Sequence, residues 1–268
     1  MLISLTYMAH GMPYMQMRMT FGHDWTRYSY MIEWYASFLY HKFYHRLSGR
    51  SLEYWATHYD INDLRENIFN YVCFDEDGNR IEGLEDVTLQ SFRIFAWIDC
   101  MMCVTSRPGG GPINSVGDRR DNEEELQRAF FTSYGHQWVM KNQGIFLPNG
   151  MLGGIYTTSI AQNDKGVVNI SGVAEELERV LRPWKINLPQ GGSIFPAVYG
   201  DDIYDISTVI VKRIRGTQRI FHARLTKSRI DIEHEFGSIS NLFKRINQKH
   251  TWHIMSLKKT IDYHYFSI

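Results

Sequence analysis

Three acids in this chain stand where acids could do chemistry. Asp99 closes the apolar run Phe95-Ala96-Trp97-Ile98, and Asp201 closes Ala197-Val198-Tyr199-Gly200. Glu233 lies just beside the apolar stripe of RLTKSRIDIEHEFGSI, residues 224–239. An acid at the end of a buried strand leaves the sheet where the hydrophobic layer stops. Two such acids on separate strands and one on a packed helix can therefore converge at one sheet edge. Three hard oxygen ligands suit Mg²⁺ or Mn²⁺ better than zinc. Two such divalent ions could activate a water or a 3′-hydroxyl and stabilise the leaving oxygen of an in-line phosphodiester attack. Each acid also has a plainer reading, as a strand terminator or as a solvated glutamate.

Other constellations are weaker. Cys100-Met-Met-Cys103 has half a zinc spacing, but it follows a β-like run, where residues three apart face opposite ways. With Cys73 it makes an odd, sparse cysteine set, which suits a reducing compartment. FDEDGNRIEGLED begins like a calcium loop, yet Arg80 stands where that loop needs glycine, so DEDGN reads as a hairpin turn. RPGGGP lacks the ending of a phosphate-binding loop and reads as a connector. No apolar run approaches the ~18 residues of a membrane span, and no signal peptide is visible. An intracellular protein that does not engage the membrane is expected.

The elements that must position the acids follow from periodicity. Residues 2–47 read as helices: one ends on Gly11, one runs from Pro13 to Gly22, and a longer one starts after Asp24. In the long one, Tyr28, Ile32, Tyr35, Leu39 and Phe43 form a stripe. Two short helices, a glycine turn and a longer helix resemble a helix-turn-helix unit, although a plain bundle has the same spacing. Met1 falls almost inside the first helix, which points to a shortened version of a longer protein. Residues 51–91 read as an acidic linker and hairpin region. From Phe92 on, a strand, two strands joined at Pro148-Asn149-Gly150, a helix capped by Ser171, another strand and a closing helix predict an α/β domain over 92–268. In the closing helix Leu225, Ile232, Phe236, Ile239 and Phe243 would pack on the sheet. Glu233 would lie about 100° round from Ile232, with small Gly237 beside it and Arg229 able to steady it or reach a phosphate.

A formal net charge of zero hides an asymmetry. Ten acids between Glu53 and Asp86 face only Arg65 and Arg80, whereas Ile206–Thr260 is strongly basic. A basic C-terminal third is what a polyanion-binding face would need. Lys212, Arg215, Lys227 and Arg229 are the candidates to hold a phosphate backbone, with affinity falling as salt rises. Arg27 and Tyr30, early in the long N-terminal helix, could also face DNA.

Taken together the motifs resemble the Harbinger-type DDE superfamily of transposases and transposase-derived nucleases. Trp97-Ile98-Asp99 resembles the family's first acid at a strand end, and Gly200-Asp201-Asp202-Ile203-Tyr204 its GDxxY second acid. Arg229 to Gly237 resembles its RxxxExxFG closing helix. The separations, 102 positions (99 to 201) and 32 positions (201 to 233), fit a long first gap and a short second one. Pro148-Asn149-Gly150 and Asn163-Asp164 fall where the family has a hairpin glycine and a further acid pair. The resemblance covers most of the chain. It departs at Cys100, where the family often has glycine, and at Ser240, where it often has lysine. Asp202 competes with Asp201 for the ligand role, and GDxxY favours Asp201. Asp164 reads as a turn residue rather than an accessory acid.

The resemblance implies an RNase H-like mixed sheet flanked by helices, preceded by a helix-turn-helix-like module at 1–50. It implies metal-dependent cleavage of double-stranded DNA and strand joining, with Asp99, Asp201 and Glu233 holding two divalent ions. It also implies nuclear residence, with room for a separate DNA-binding partner protein or a homo-oligomer. Two rivals stand beside it: a catalytically silent DNA- or protein-binding derivative, and a metal nuclease without a transposition partner.

Overall fold

The structure, a computed structural model, describes residues 2–43, 51–105, 128–132, 136–159, 163–213, 219–242 and 244, apart from a few side chains that include those of Asp231, Ile232 and Glu233. The RPGGGP loop and Arg215 therefore lie outside the described residues, as do the side chains of Phe236, Ile239 and Phe243.

Three helices open the chain: α1 Leu2–His10, α2 Tyr14–Phe21 and α3 Trp25–Phe43. Their bounds follow the sequence signals. Gly22 takes a left-handed conformation that returns its N–H to Arg18 O, and the Asp24 carboxylate accepts the Trp25 N–H at 2.7 Å. Tyr28 and Leu39 of the stripe are buried, and Ile32, Tyr35 and Phe43 half-buried. The Tyr28 hydroxyl, deep in the core, donates to Met17 O at 3.1 Å and so ties α2 to α3. Tyr7, Met8, Met17 and Tyr28 belong to the same buried cluster as Phe69, Val72, Ile94 and Trp97. The opening helices thus share a core with the helix of Phe69 and the strand of Trp97.

The acidic region is more ordered than its composition suggests. It holds α4 Ser51–His58 and α5 Ile61–Cys73, then a tight turn in which Phe74 pairs with Arg80. The side chain of Asp60 caps α5 by accepting the Asn62 N–H. Ile61, Leu64, Ile68 and Val72 form its buried face. Arg65 donates to the Leu89 and Phe92 carbonyls at 2.7 and 2.9 Å, fixing the approach to the next strand.

That strand, β1 Ile94–Thr105, is central. The others are β2 Phe131–Thr132, β3 Gln137–Phe146, β4 Leu152–Ser159, β5 Ile186–Asn187, β6 Ser193–Ile194, β7 Ala197–Tyr199 and β8 Ile210–Val211. β1 is antiparallel to β3 and parallel to β7, and β7 is parallel to β8. β3 pairs with β4 through the Pro148-Asn149-Gly150 turn, where Gly150 has φ 77°. Among the described residues this gives one mixed sheet, with β5 and β6 as a separate ribbon. Three further helices complete the fold: α6 Asp164–Ser171, α7 Val173–Leu181 and α8 Arg219–Leu242. The helix expected after Ser171 is α7, capped at Gly172 rather than Ser171, and α6 precedes it where a turn is expected. Asn163 caps α6, and Gly172, at φ 64°, turns the chain between the two helices. Ile98, Val198 and Leu177 share one core cluster, and Trp97, Phe69 and Leu225 another, so helices cover both sheet faces.

Candidate functional site

The parallel pairing of β1 and β7 brings two of the three acids together. Trp97 is opposite Tyr199. Two residues further along each strand come Asp99 and Asp201, side by side where β7 ends. Asp99 is largely enclosed, with a side chain 14% exposed, whereas Asp201 is exposed. Burial pushes the Asp99 carboxyl above the usual carboxylate range; Arg229 and the Cys100 N–H pull it back, while Asp201 and Asp164 push the same way as burial. From sequence Asp99 is expected at a strand end, but β1 continues to Thr105 and Asp99 lies in its middle. Asp201, just past the end of β7, is close enough to oppose ionisation of Asp99.

The GDxxY stretch has a steric reason for its glycine. A Cβ on Gly200 would lie 2.5 Å from Tyr204 Cδ2 and 3.0 Å from Ile98 Cγ2. The Tyr204 ring folds back under the strand end, and its N–H bonds to Asp201 O at 3.1 Å. Its hydroxyl meets Cys100 Sγ at 3.4 Å, which links the residue after Asp99 to the loop that carries Asp201. Burial pushes the Cys100 thiol up to about 12, so it is a packing group rather than a nucleophile. Asp202 and Asp201 also separate by direction. Asp202 acts on Tyr199 and His222, and its carbonyl accepts from Lys212 Nζ at 2.8 Å, while Asp201 acts on Asp99.

Helix α8 is fastened over this strand end. The Trp97 indole donates to Ser228 Oγ at 3.2 Å in the core, and one residue on, Arg229 Nη1 donates to Asp99 Oδ2 at 2.5 Å. At the other end of the contact, Arg224 donates to the Tyr71 and Phe74 carbonyls at the C-terminus of α5. Leu225 is buried as its spacing predicts, and a side chain added at Gly237 would meet open space. Glu233 follows Arg229 by four positions, one helical turn along α8, and its side chain lies outside the described residues. Arg229 is engaged with Asp99; its expected contact with Glu233 lies outside the described residues.

Asp164 opens helix α6 rather than sitting in a turn, and Lys141 Nζ donates to it at 2.7 Å. Lys141 is opposite Met102, three residues from Asp99, so by strand alternation it lies on the other sheet face. There Cys100, Gln143 and Ser171 continue a polar cluster through contacts of 3.9 and 3.3 Å. Cys103 is buried on the face opposite Cys100 and accepts from Asn142, which leaves no shared zinc geometry.

Of the expected DNA contacts, Lys227, Arg27 and Tyr30 are exposed, and Lys212 is half-buried. Arg27 and Tyr30 stand on α3, beside exposed Trp34 and Phe38, which stack on one another. Among the described residues, no cluster of three or more His, Cys, Asp or Glu could hold a metal ion. The Asp99–Asp201 pair fits a hard cation in its donor chemistry, and a cation would relieve the repulsion between the two carboxylates. No described helix is long and apolar enough to cross a membrane. Compared with protein-family models, curated proteins and solved structures, the chain matches none of them.

Proposed function

We propose that this chain is a metal-dependent DNA endonuclease or transposase of the Harbinger-type DDE kind. The observation that carries the reading is the nearness of Asp99, midway along β1, to Asp201, 102 positions on (99 to 201) and just past the end of the neighbouring parallel strand β7. An RNase H-like arrangement is supported by the same adjacency, because β1 beside β7 is what lets those two acids converge. Asp99 and Asp201 would hold the ions together with Glu233, which is one turn beyond the residue that reaches Asp99. Bound Mg²⁺ or Mn²⁺ would polarise the attacking and leaving oxygens of a phosphodiester.

The chain's own residues supply the rest. Enclosure of Asp99 limits water around one carboxylate, while exposed Asp201 leaves the site open on the side a duplex would approach. Lys227 and Arg229 of α8, with Lys212 and Arg215 ahead of it, would position the phosphate backbone. The opening helices would act as the helix-turn-helix-like module, with Arg27 and Tyr30 outermost. Double-stranded DNA in the nucleus is the substrate in this reading, with a separate DNA-binding protein or a second copy completing the assembly. The test is nicking of supercoiled plasmid with Mg²⁺ or Mn²⁺, comparing wild type with Asp99→Asn and Glu233→Gln. Ion-dependent nicking lost in both variants upholds the reading. No nicking by folded wild type with either ion overturns it.

A second reading, a catalytically silent DNA- or protein-binding derivative, is favoured by one observation. Arg229 already satisfies Asp99, as in an ordinary structural ion pair.

A further inference from the structure

Asp99 already has a cation. Its Oδ2 meets Arg229 Nη1 at 2.5 Å, with each side chain 14% exposed. The arginine is delivered by a fastened segment: the neighbouring Ser228 is 2% exposed and takes the Trp97 indole N–H. Lys141, on the other sheet face, holds Asp164. A guanidinium and a divalent ion seek the same carboxylate lone pairs. Held within ~4 Å of each other in a shielded site, the two would repel strongly, so one must replace the other.

We propose that Arg229 is a built-in counter-ion latch on Asp99, neutralising the carboxylate in the ion-free protein and leaving when a divalent ion binds. The inference rests on the metal-site reading above and adds its regulation. The latch keeps an enclosed carboxylate from standing as an unpaired charge, which would be strongly destabilising. It also sets a threshold for ion entry, because binding must first break a charge-assisted contact. Ion binding then frees a guanidinium at the mouth of the site.

The test is titration of Mn²⁺, with free ion followed by its electron paramagnetic resonance signal, and it needs no DNA cleavage. Arg229→Gln should bind Mn²⁺ about tenfold more tightly than wild type, within the ~5–150-fold range usual for coupled sites. Arg229→Lys, a point charge without the fork, should fall between them, and it serves if the glutamine variant folds poorly. Without ion, Arg229→Gln should melt below wild type, and Mn²⁺ should close that gap. In an Asp99→Asn background, Arg229→Gln should bring no gain in affinity. Equal or weaker Mn²⁺ binding by folded Arg229→Gln overturns the latch while leaving the metal site standing. No Mn²⁺ binding by wild type or by either folded variant overturns both.

Discussion

The end of β7, with Asp99 of β1 alongside, and the outer face of α3 use their side chains in opposite ways. At the strand end, charges are drawn inward and paired: Asp99 with Arg229, Asp164 with Lys141. On α3 the outer face is aromatic, with Tyr30 72% exposed and Trp34 59% exposed. Enclosed charge is costly and is kept only where partners hold it, which makes the strand end the better candidate for chemistry. Exposed aromatic surface costs little and favours contact with a partner. The difference separates two roles within one continuous core: a site that would react and a surface that would recognise.

The largest effect expected from this contrast is on ion binding. Asp99→Asn should weaken Mn²⁺ binding by roughly 100-fold or more, since loss of a ligand should exceed the ~10–100-fold cost of losing its outer partners. Arg27→Gln and Tyr30→Ala should leave Mn²⁺ affinity unchanged. A calorimetric titration that finds all three alike would erase the distinction.

Next in size is the steric demand at the strand end. Gly200→Ala should cost about 1–3 kcal/mol in urea unfolding, because the new methyl meets the buried Tyr204 ring. Tyr30→Ala, at an exposed position, should stay within about 0.5 kcal/mol of wild type.

A smaller effect follows from the raised Asp99 pKa. A carboxyl raised by folding gives its full stabilisation below the ordinary value near ~3.9 and loses it as pH rises through the raised folded value. The permanently neutral Asp99→Asn should therefore melt like wild type near pH 3. At pH 7 without ion it should melt higher than wild type. A variant that melts lower at pH 7 would show Asp99 to be a net stabiliser.

The smallest effect is on DNA affinity. Lys227→Gln should reduce the slope of log affinity against log salt by about 1. Tyr30→Ala should weaken binding with no change of slope, because an aromatic contact releases no counterions. Filter binding across a salt series separates the two.

Much of the frame was legible in the sequence because periodicity carried it. The α3 stripe, the Pro148-Asn149-Gly150 turn and the burial of Leu225 on α8 were all legible from spacing and turn residues. The helix pair over Ser51–His58 and Ile61–Cys73 was hidden by its acidic composition, although Ile61, Leu64, Ile68 and Val72 kept helical spacing. Helix α6 was missed because Asn163-Asp164 read as a turn, whereas Asn163 caps a helix that ends at Ser171. At the site, the ends of apolar runs pointed to Asp99 and Asp201, but β1 continues six residues past Asp99, because Cys100 to Thr105 still pair with β3. No local pattern indicates that Arg229 reaches an acid 130 positions away. The Cys100–Tyr204 link was equally silent, since it depends on how a ring folds beneath Gly200.

The most direct test of a carboxylate ion site at this strand end is to let the ion mark its own position. Fe²⁺ substituted for Mg²⁺, with ascorbate and peroxide, cuts the backbone beside wherever it is bound. Cleavage is expected near Asp99, Asp201 and Glu233 together, suppressed by excess Mg²⁺ and lost in Asp99→Asn. Cleavage confined to other segments, or none at all in the folded protein, would contradict a metal site there.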